Sequence, residues 1–209
     1  MPRSSITAQS VAARLRQEIC SGSLAPGSAL RQEAVAADFG VSRMPVRDAI
    51  QMLQGEGLVH VLPNRGAFVA SMTQAECAEL FDLRVLLECD ALAHAVPRHT
   101  DGSLRKLKRL QRDLEEETET TAWAEGDRLF HDALYAPCAR ARTLQMIATL
   151  RNAVERFYLA KLTHDTHRRG WKAEHRRVLD AVAAGDAARA CERLREHLRE
   201  TQAVVARAL

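Results

Sequence analysis

The stretch GVSRMPVRDAIQMLQGEGLVHVLPNRGAFVA, residues 40–70, changes its periodicity once, and that change decides the fold class. In its first half Val46, Ile50 and Leu53 recur at i, i+4 and i+7, the apolar stripe of a helix. Ser42 stands at the N-cap position, and Pro45 falls in the first turn, where its missing N–H does no harm. Beyond Gly57 the pattern becomes two β-rich runs, LVHVL and AFVA, on either side of Pro-Asn-Arg-Gly. That reads as strand, tight turn, strand.

Upstream, Thr7 caps a predicted helix carrying Val11, Leu15 and Ile19, ended by Gly22. LAPGSAL (24–30) reads as a turn, and a short helix with Val35, Ala36 and Phe39 is broken by Gly40. Three short helices followed by a hairpin make a winged helix-turn-helix pattern, expected over residues 1–73. On its third helix Arg43, Arg47 and Gln51 recur at i, i+4 and i+8, on a face next to the apolar stripe. Arginines in the first turns of such a helix can enter a major groove and bind guanine O6 and N7 bidentately, each pair giving about 1–3 kcal/mol of discrimination. Arg65, beside Gly66 at the hairpin tip, is placed to meet phosphate or the minor groove. Taken alone, an arginine-bearing face is more often merely solvated, and residues 1–73 hold only seven basic against five acidic side chains.

Composition sets the outer bounds. A formal charge of +3 on 209 residues is no polycation, so recognition of nucleic acid has to come from placed residues. There is no apolar run of membrane-spanning length, and MPRSSITAQS lacks the apolar core of a secretory signal. Five scattered cysteines without a CxxC fit a reducing compartment. A soluble, cytoplasmic protein is expected.

From about residue 74 the strand signals stop. Six helices are predicted, at roughly 74–96, 102–118, 121–136, 140–162, 168–184 and 186–207. The expected architecture is mostly α: the winged helix-turn-helix domain, then an all-α helical bundle over 74–209. DRLFHDAL (127–134) is the anomaly in this bundle, because Asp127 and His131 share a face with Trp123, Phe130 and Leu134. Burying a neutral polar group without a partner costs roughly 2–7 kcal/mol. His175 falls on the stripe of Trp171, Val178 and Val182, and His197 on that of Ala190 and Leu194. Four such side chains from three helices point into one core. They read either as a hydrogen-bonded network or as ligands of a divalent metal, for which three imidazoles and a carboxylate suit Zn, Ni, Fe or Mn.

Arg84 shares a face with Leu80, Leu87 and Ala91 and also points inward. Its anionic partner is either Glu88, four residues on, or a ligand carboxylate held bidentately. Arg151, on the face of Ile147 and Val154, is a candidate of the same type. A metalloenzyme is a third reading, but no further general base or nucleophile stands at motif spacing.

Residues 11–70 resemble the DNA-binding domain of the GntR family of bacterial transcription regulators. The resemblance rests on I-x-S-G-x-L-x-P-G, G-V-S-R-x-P-V-R-x-A, L-x-x-E-G-L-V and P-N-R-G-x-F-V, in that order. It implies that Arg43 and Arg47 touch an operator and that Gly66 lies at the wing. The family often has Glu at the position of Gln32, Arg at that of Glu33, and Thr at that of Met44. A glutamate repels phosphate, so no DNA contact is carried over to Glu33. Residues 74–209 are similar to the FCD ligand-binding domain of the FadR subfamily, through ELFDLRVLLE (79–88), DRLFHDALY (127–135) and EHRRVLDAVAAGDAARACERLREHL (174–198). Six helices suggest the VanR-type branch. This resemblance implies a divalent ion held by Asp127, His131, His175 and His197, and an effector pocket faced by Arg84. The expected protein is a homodimeric one-component regulator that binds a palindromic DNA operator under control of a small organic acid.

Overall fold

The computed structural model describes residues 7–158 and 165–209 and divides into two compact units at Met72/Thr73. The first unit contains helices α1 (Ala8–Cys20), α2 (Gln32–Phe39) and α3 (Arg43–Gly55) and strands β1 (Ala29–Leu30), β2 (Val59–Leu62) and β3 (Gly66–Val69). Thr7 caps α1 through a capping box with Ser10. Ser42 is the N-cap of α3 by backbone, but its side chain makes no capping bond. The turn expected at 24–30 ends in a strand: Ala29 and Leu30 pair antiparallel with Phe68 and Ala67, so the hairpin becomes a three-stranded sheet of order β1-β3-β2. A two-residue strand has no alternation to read, so its pairing was invisible locally.

The wing register pairs Val59 with Val69 and Leu62 with Gly66. Closing that turn requires left-handed backbone at Asn64 (φ 59°) and Gly66 (φ 95°), and Gly carries no Cβ penalty there. Val46, Ala49, Ile50 and Leu53 of α3 are buried against Val11, Ala12 and Leu15 of α1 and Val59, Ala67 and Val69 of the sheet. Leu53 is completely buried, so its truncation to Ala costs about 2–5 kcal/mol. This core holds α3 with its opposite face to solvent.

The second unit contains, among the described residues, α4 (Gln74–Ala95), α5 (Asp101–Glu116), α6 (Thr120–Tyr135), α7 (Ala141–Tyr158), α8 (Asp165–Ala183) and α9 (Ala187–Ala208). Short 3-10 turns follow α4 and α6, each with a proline in its first positions. Thr73 and Glu76 close a capping box on α4, and Asp186 caps α9. α4 packs along α9 and α7, α8 along α9, and α5 against α6 and α8. Gly126 permits the close α5–α6 approach, since a Cβ there would lie 3.1 Å from Leu114 Cδ2. Phe81, Leu92, Leu107, Phe130, Leu134 and Leu194 are fully buried. No described helix is long and apolar enough to cross a membrane. Asp127, His131, His175 and His197 lie inside this apolar core.

Candidate functional site

In the first unit, Arg43, Arg47 and Gln51 are all exposed on α3, opposite its buried stripe, and Arg65 and Gly66 are exposed at the wing tip. Arg43 is not a free cation. Its Nη2 lies 2.8 Å from Glu33 Oε1 of α2, with both side chains largely exposed. The position that departs from the family pattern therefore engages one of the two candidate base-reading arginines. Met44, between them, is 67% exposed, with no packing reason for its side chain.

In the second unit, α6, α8 and α9 bring His131, His175 and His197 together. His175 Nε2 lies 3.3 Å from His131 Nε2 and 3.3 Å from His197 Nε2. Asp127 Oδ1 is 3.4 Å from His175 Nε2 and 3.8 Å from His131 Nε2. The three imidazoles singled out from three stripes thus meet at one point, with Asp127 beside two of them.

The bonds on the far side of each ring fix the chemistry. Tyr135 Oη donates to Glu88 Oε2 at 2.7 Å, which leaves its oxygen to accept from His131 Nδ1 at 3.0 Å. His197 Nδ1 donates to Glu174 Oε2 at 2.7 Å. Both rings therefore carry their proton on Nδ1 and turn the Nε2 lone pair into the cluster. His175 Nδ1 is buried and has no hydrogen-bond partner among the described residues. If His175 protonates Nε2, one N–H faces two lone pairs and Nδ1 is left bare. If it protonates Nδ1, three lone pairs converge.

Burial is the main cause holding all three imidazoles neutral. It pushes His175 down to about 3 and His197 to about 4, and His131 well below its ordinary value. Two nitrogens bound to an ion at about 2.0–2.1 Å lie roughly 3.0–3.4 Å apart. The observed 3.3 Å edges fit that, so the donor set suits a divalent metal.

Two arginines back the site. Arg84 Nε donates to Glu88 Oε1 at 2.7 Å, so the intrahelical partner is the one realised. Arg151 Nη2 donates to Asp127 Oδ2 at 2.8 Å, and its Nη1 is 3.9 Å from Glu88. Burial pushes the Glu88 carboxyl up, but Arg84, Arg151 and Tyr135 together outweigh it and hold the group below its ordinary value. Both arginines nevertheless line a small pocket with Asp127, His131, His197 and Thr201, walled by Trp123 and Trp171. The two indoles stack at 5.5 Å between centroids, and Trp123 Nε1 is a buried donor with no acceptor. The pocket's volume is about 10 Å3, room for roughly one water or one ion.

Residues 7–69 match the bacterial regulatory proteins of the gntR family, and residues 79–200 match the FCD domain. The chain belongs to the GntR family of bacterial transcription regulators. An HTH-type transcriptional regulator of Streptomyces ambofaciens is 33% identical over 190 residues, spanning 89% of this chain and 79% of that protein. The transcriptional repressor GlaR of Escherichia coli is 28% identical over 200 residues, spanning 88% and 89%. The crystal structure of a GntR-family regulator from Pseudomonas syringae superposes with a TM-score of 0.57 at 28% identity, covering 99% of this chain and 87% of that one. These families and relatives are transcription regulators, not enzymes, which disposes of the metalloenzyme reading.

Within this GntR-family chain, three functional side chains escaped sequence reasoning as such. Tyr135 is four residues after His131 on the same face, a spacing that signals a hydrogen-bond partner. Glu174 precedes His175 and points to a different histidine, a relation that exists only once α8 and α9 pack. Glu88 was visible as a partner of Arg84, but its bond to Tyr135, which links it to His131, spans 47 residues.

Proposed function

We propose that this GntR-family regulator is controlled by a small carboxylate effector bound beside a divalent metal in its FCD domain. The observation that carries the reading is the convergence of the His131, His175 and His197 Nε2 atoms, two of them with tautomers fixed by Tyr135 and Glu174. Asp127, His131, His175 and His197 would hold the ion, as Zn, Ni, Fe or Mn. Held by these residues, an ion would supply a Lewis-acidic centre for a ligand oxygen.

Charge supports an anionic effector. Around the cluster, two guanidiniums (Arg84, Arg151) face three carboxylates (Glu88, Asp127, Glu174). That leaves one negative charge, which a divalent ion turns into one positive charge. One carboxylate neutralises it, with Arg84 and Arg151 as its bidentate anchors. Space supports a coupled movement. A pocket of about 10 Å3 admits an ion or a water, so an organic acid enters as the lining, which includes the stacked Trp123 and Trp171, gives way.

The operator face is Arg43, Arg47 and Gln51 of α3, with Arg65 and Gly66 at the wing. Two copies in a homodimer would read a palindromic site of double-stranded DNA, and a cytoplasmic location follows from that role. Control requires that the effector bind two arrangements of the dimer unequally.

The test is metal content by mass spectrometry on protein purified without chelator or histidine tag, beside His131→Ala. About one equivalent in the parent and little in the variant is the expected result. A folded, metal-free parent would instead make the cluster a hydrogen-bonded core.

A further inference from the structure

Away from the polar cluster, the packing of α4 on α9 brings two thiols face to face. Cys89 Sγ lies 3.6 Å from the main-chain oxygen of Cys191, and Cys191 Sγ lies 3.3 Å from that of Cys89. Each side chain reaches across to the other's backbone, so the two sulfurs sit side by side at the helix contact. Rotation about each Cα–Cβ bond swings a sulfur from the carbonyl it faces toward the other sulfur, which is the movement a disulfide requires. Cys77 and Cys138 are buried thiols of the same chain and serve as internal controls.

The two sulfurs are not equivalent. Cys89 is buried, while Cys191 is partly exposed and reachable by a small oxidant. The contact between the two thiols raises Cys89 and lowers Cys191, with Arg195 adding to the second effect. Cys191, the more exposed sulfur and the one facing Arg195, is therefore the nucleophile, and Cys89 the resolving thiol beside it.

We propose that Cys89 and Cys191 form a reversible disulfide in response to hydrogen peroxide or an organic hydroperoxide, fastening α4 to α9. The Cys191 thiolate attacks a peroxide oxygen. An S–O bond forms, the O–O bond breaks, and hydroxide leaves with a proton as water. The Cys89 sulfur then attacks the Cys191 sulfur, forming S–S and breaking S–O, and a second water leaves. Two thiols are oxidised by two electrons, and one hydrogen peroxide is reduced to two waters, or one organic hydroperoxide to an alcohol and a water. A dithiol reductant reverses the result. The bridge would close a loop of 102 residues. It would tie the helix of Arg84 and Glu88 to the helix of His197.

The experiment treats the full-length protein with hydrogen peroxide, quenches it, and counts thiols. Of the five cysteines, three should remain titratable, with one Cys89–Cys191 cross-linked peptide on mapping. The melting temperature should rise by several degrees and return with dithiothreitol, since a long loop is closed in the unfolded chain. In Cys89→Ser, the same dose should leave a Cys191 sulfenic acid that a dimedone probe captures, and no intramolecular cross-link. Five surviving thiols in the parent, or a bridge joining any other pair, overturns the proposal.

Discussion

The Tyr135 hydroxyl donates to Glu88 at 2.7 Å, and that bond decides which nitrogen of His131 faces the histidine cluster. With its proton committed to the carboxylate, the hydroxyl can only accept from His131 Nδ1. Burial and the Glu88 charge push the Tyr135 phenol well above its ordinary value, so it remains a donor throughout the working pH range. Replacing Tyr135 with Phe removes the acceptor and leaves the His131 tautomer unspecified. Loss of such an outer partner weakens metal affinity about 10–100-fold. A competition titration against a metallochromic chelator reads this directly, and an affinity equal to the parent's would mean that Tyr135 does not orient the ring.

Glu174 plays the matching part for His197, from α8 rather than from the histidine's own helix. Glu174→Gln keeps an oxygen that can accept from Nδ1, whereas Glu174→Ala keeps none. The expected order of metal affinity is parent, then Gln, then Ala, with helical content unchanged by circular dichroism. If both variants bind metal equally, the bond at 2.7 Å is not what aligns His197.

Stability of the metal-stripped protein should fall with acid in a defined window. Burial holds His175 near 3 and His197 near 4 in the folded chain, against about 6.5 in an unfolded one. Above about 6.5 the imidazoles are neutral in both states and give no pH dependence. Between about 6.5 and 4 the unfolded chain takes up protons that the folded chain refuses, so folding weakens as pH falls. Melting curves in chelator should drop from about pH 7 to pH 5, and less steeply for His131→Ala, which has one fewer buried imidazole. Parallel slopes for the two proteins would count against three neutral buried rings.

The chain's two tryptophans, Trp123 and Trp171, both wall the same pocket. Tryptophan emission, excited selectively over tyrosine, therefore reports that site. Small hydroxy- and dicarboxylates, added to the metal-loaded protein, should shift the emission as they part the stacked indoles. Arg84→Ala should weaken the response more than it changes metal content, because Arg84 lines the pocket and, among the described residues, hydrogen-bonds through Nε to Glu88 rather than to the imidazoles. A response of equal strength in that variant would move the anion's anchor to Arg151.

How much of this was legible beforehand depended on range. The helices of both units follow from periodicity and caps, because those signals are local: Thr7 with Ser10, Thr73 with Glu76, Asp186 before α9. The four cluster residues were legible because a polar side chain on an apolar stripe is conspicuous on its own helix. Strand β1 was not, since its identity comes entirely from pairing with Phe68 and Ala67. Nor was the role of Glu174, which serves a histidine 23 residues away. The Glu33–Arg43 pair lay between these cases: the sequence set Glu33 apart from its family, and only the α2–α3 packing gave it a partner.

That pair leads to the last prediction. Glu33 holds Arg43 at 2.8 Å, with the two side chains 72% and 69% exposed. A pair this exposed contributes about 0–1 kcal/mol, so breaking it barely affects folding. On DNA the balance differs, because the Glu33 carboxylate repels phosphate and competes with the groove for Arg43. Glu33→Gln should therefore tighten binding to an operator recovered by selection from random DNA. It should also steepen the dependence of log affinity on log salt by about one, as one more cation becomes free to displace counterions. Arg47→Ala should act the opposite way, lowering affinity and relaxing discrimination by about 1–3 kcal/mol at one base pair. Fluorescence anisotropy at several salt concentrations separates the two effects. A Glu33→Gln protein with the parent's affinity and salt slope would place that carboxylate away from the bound DNA.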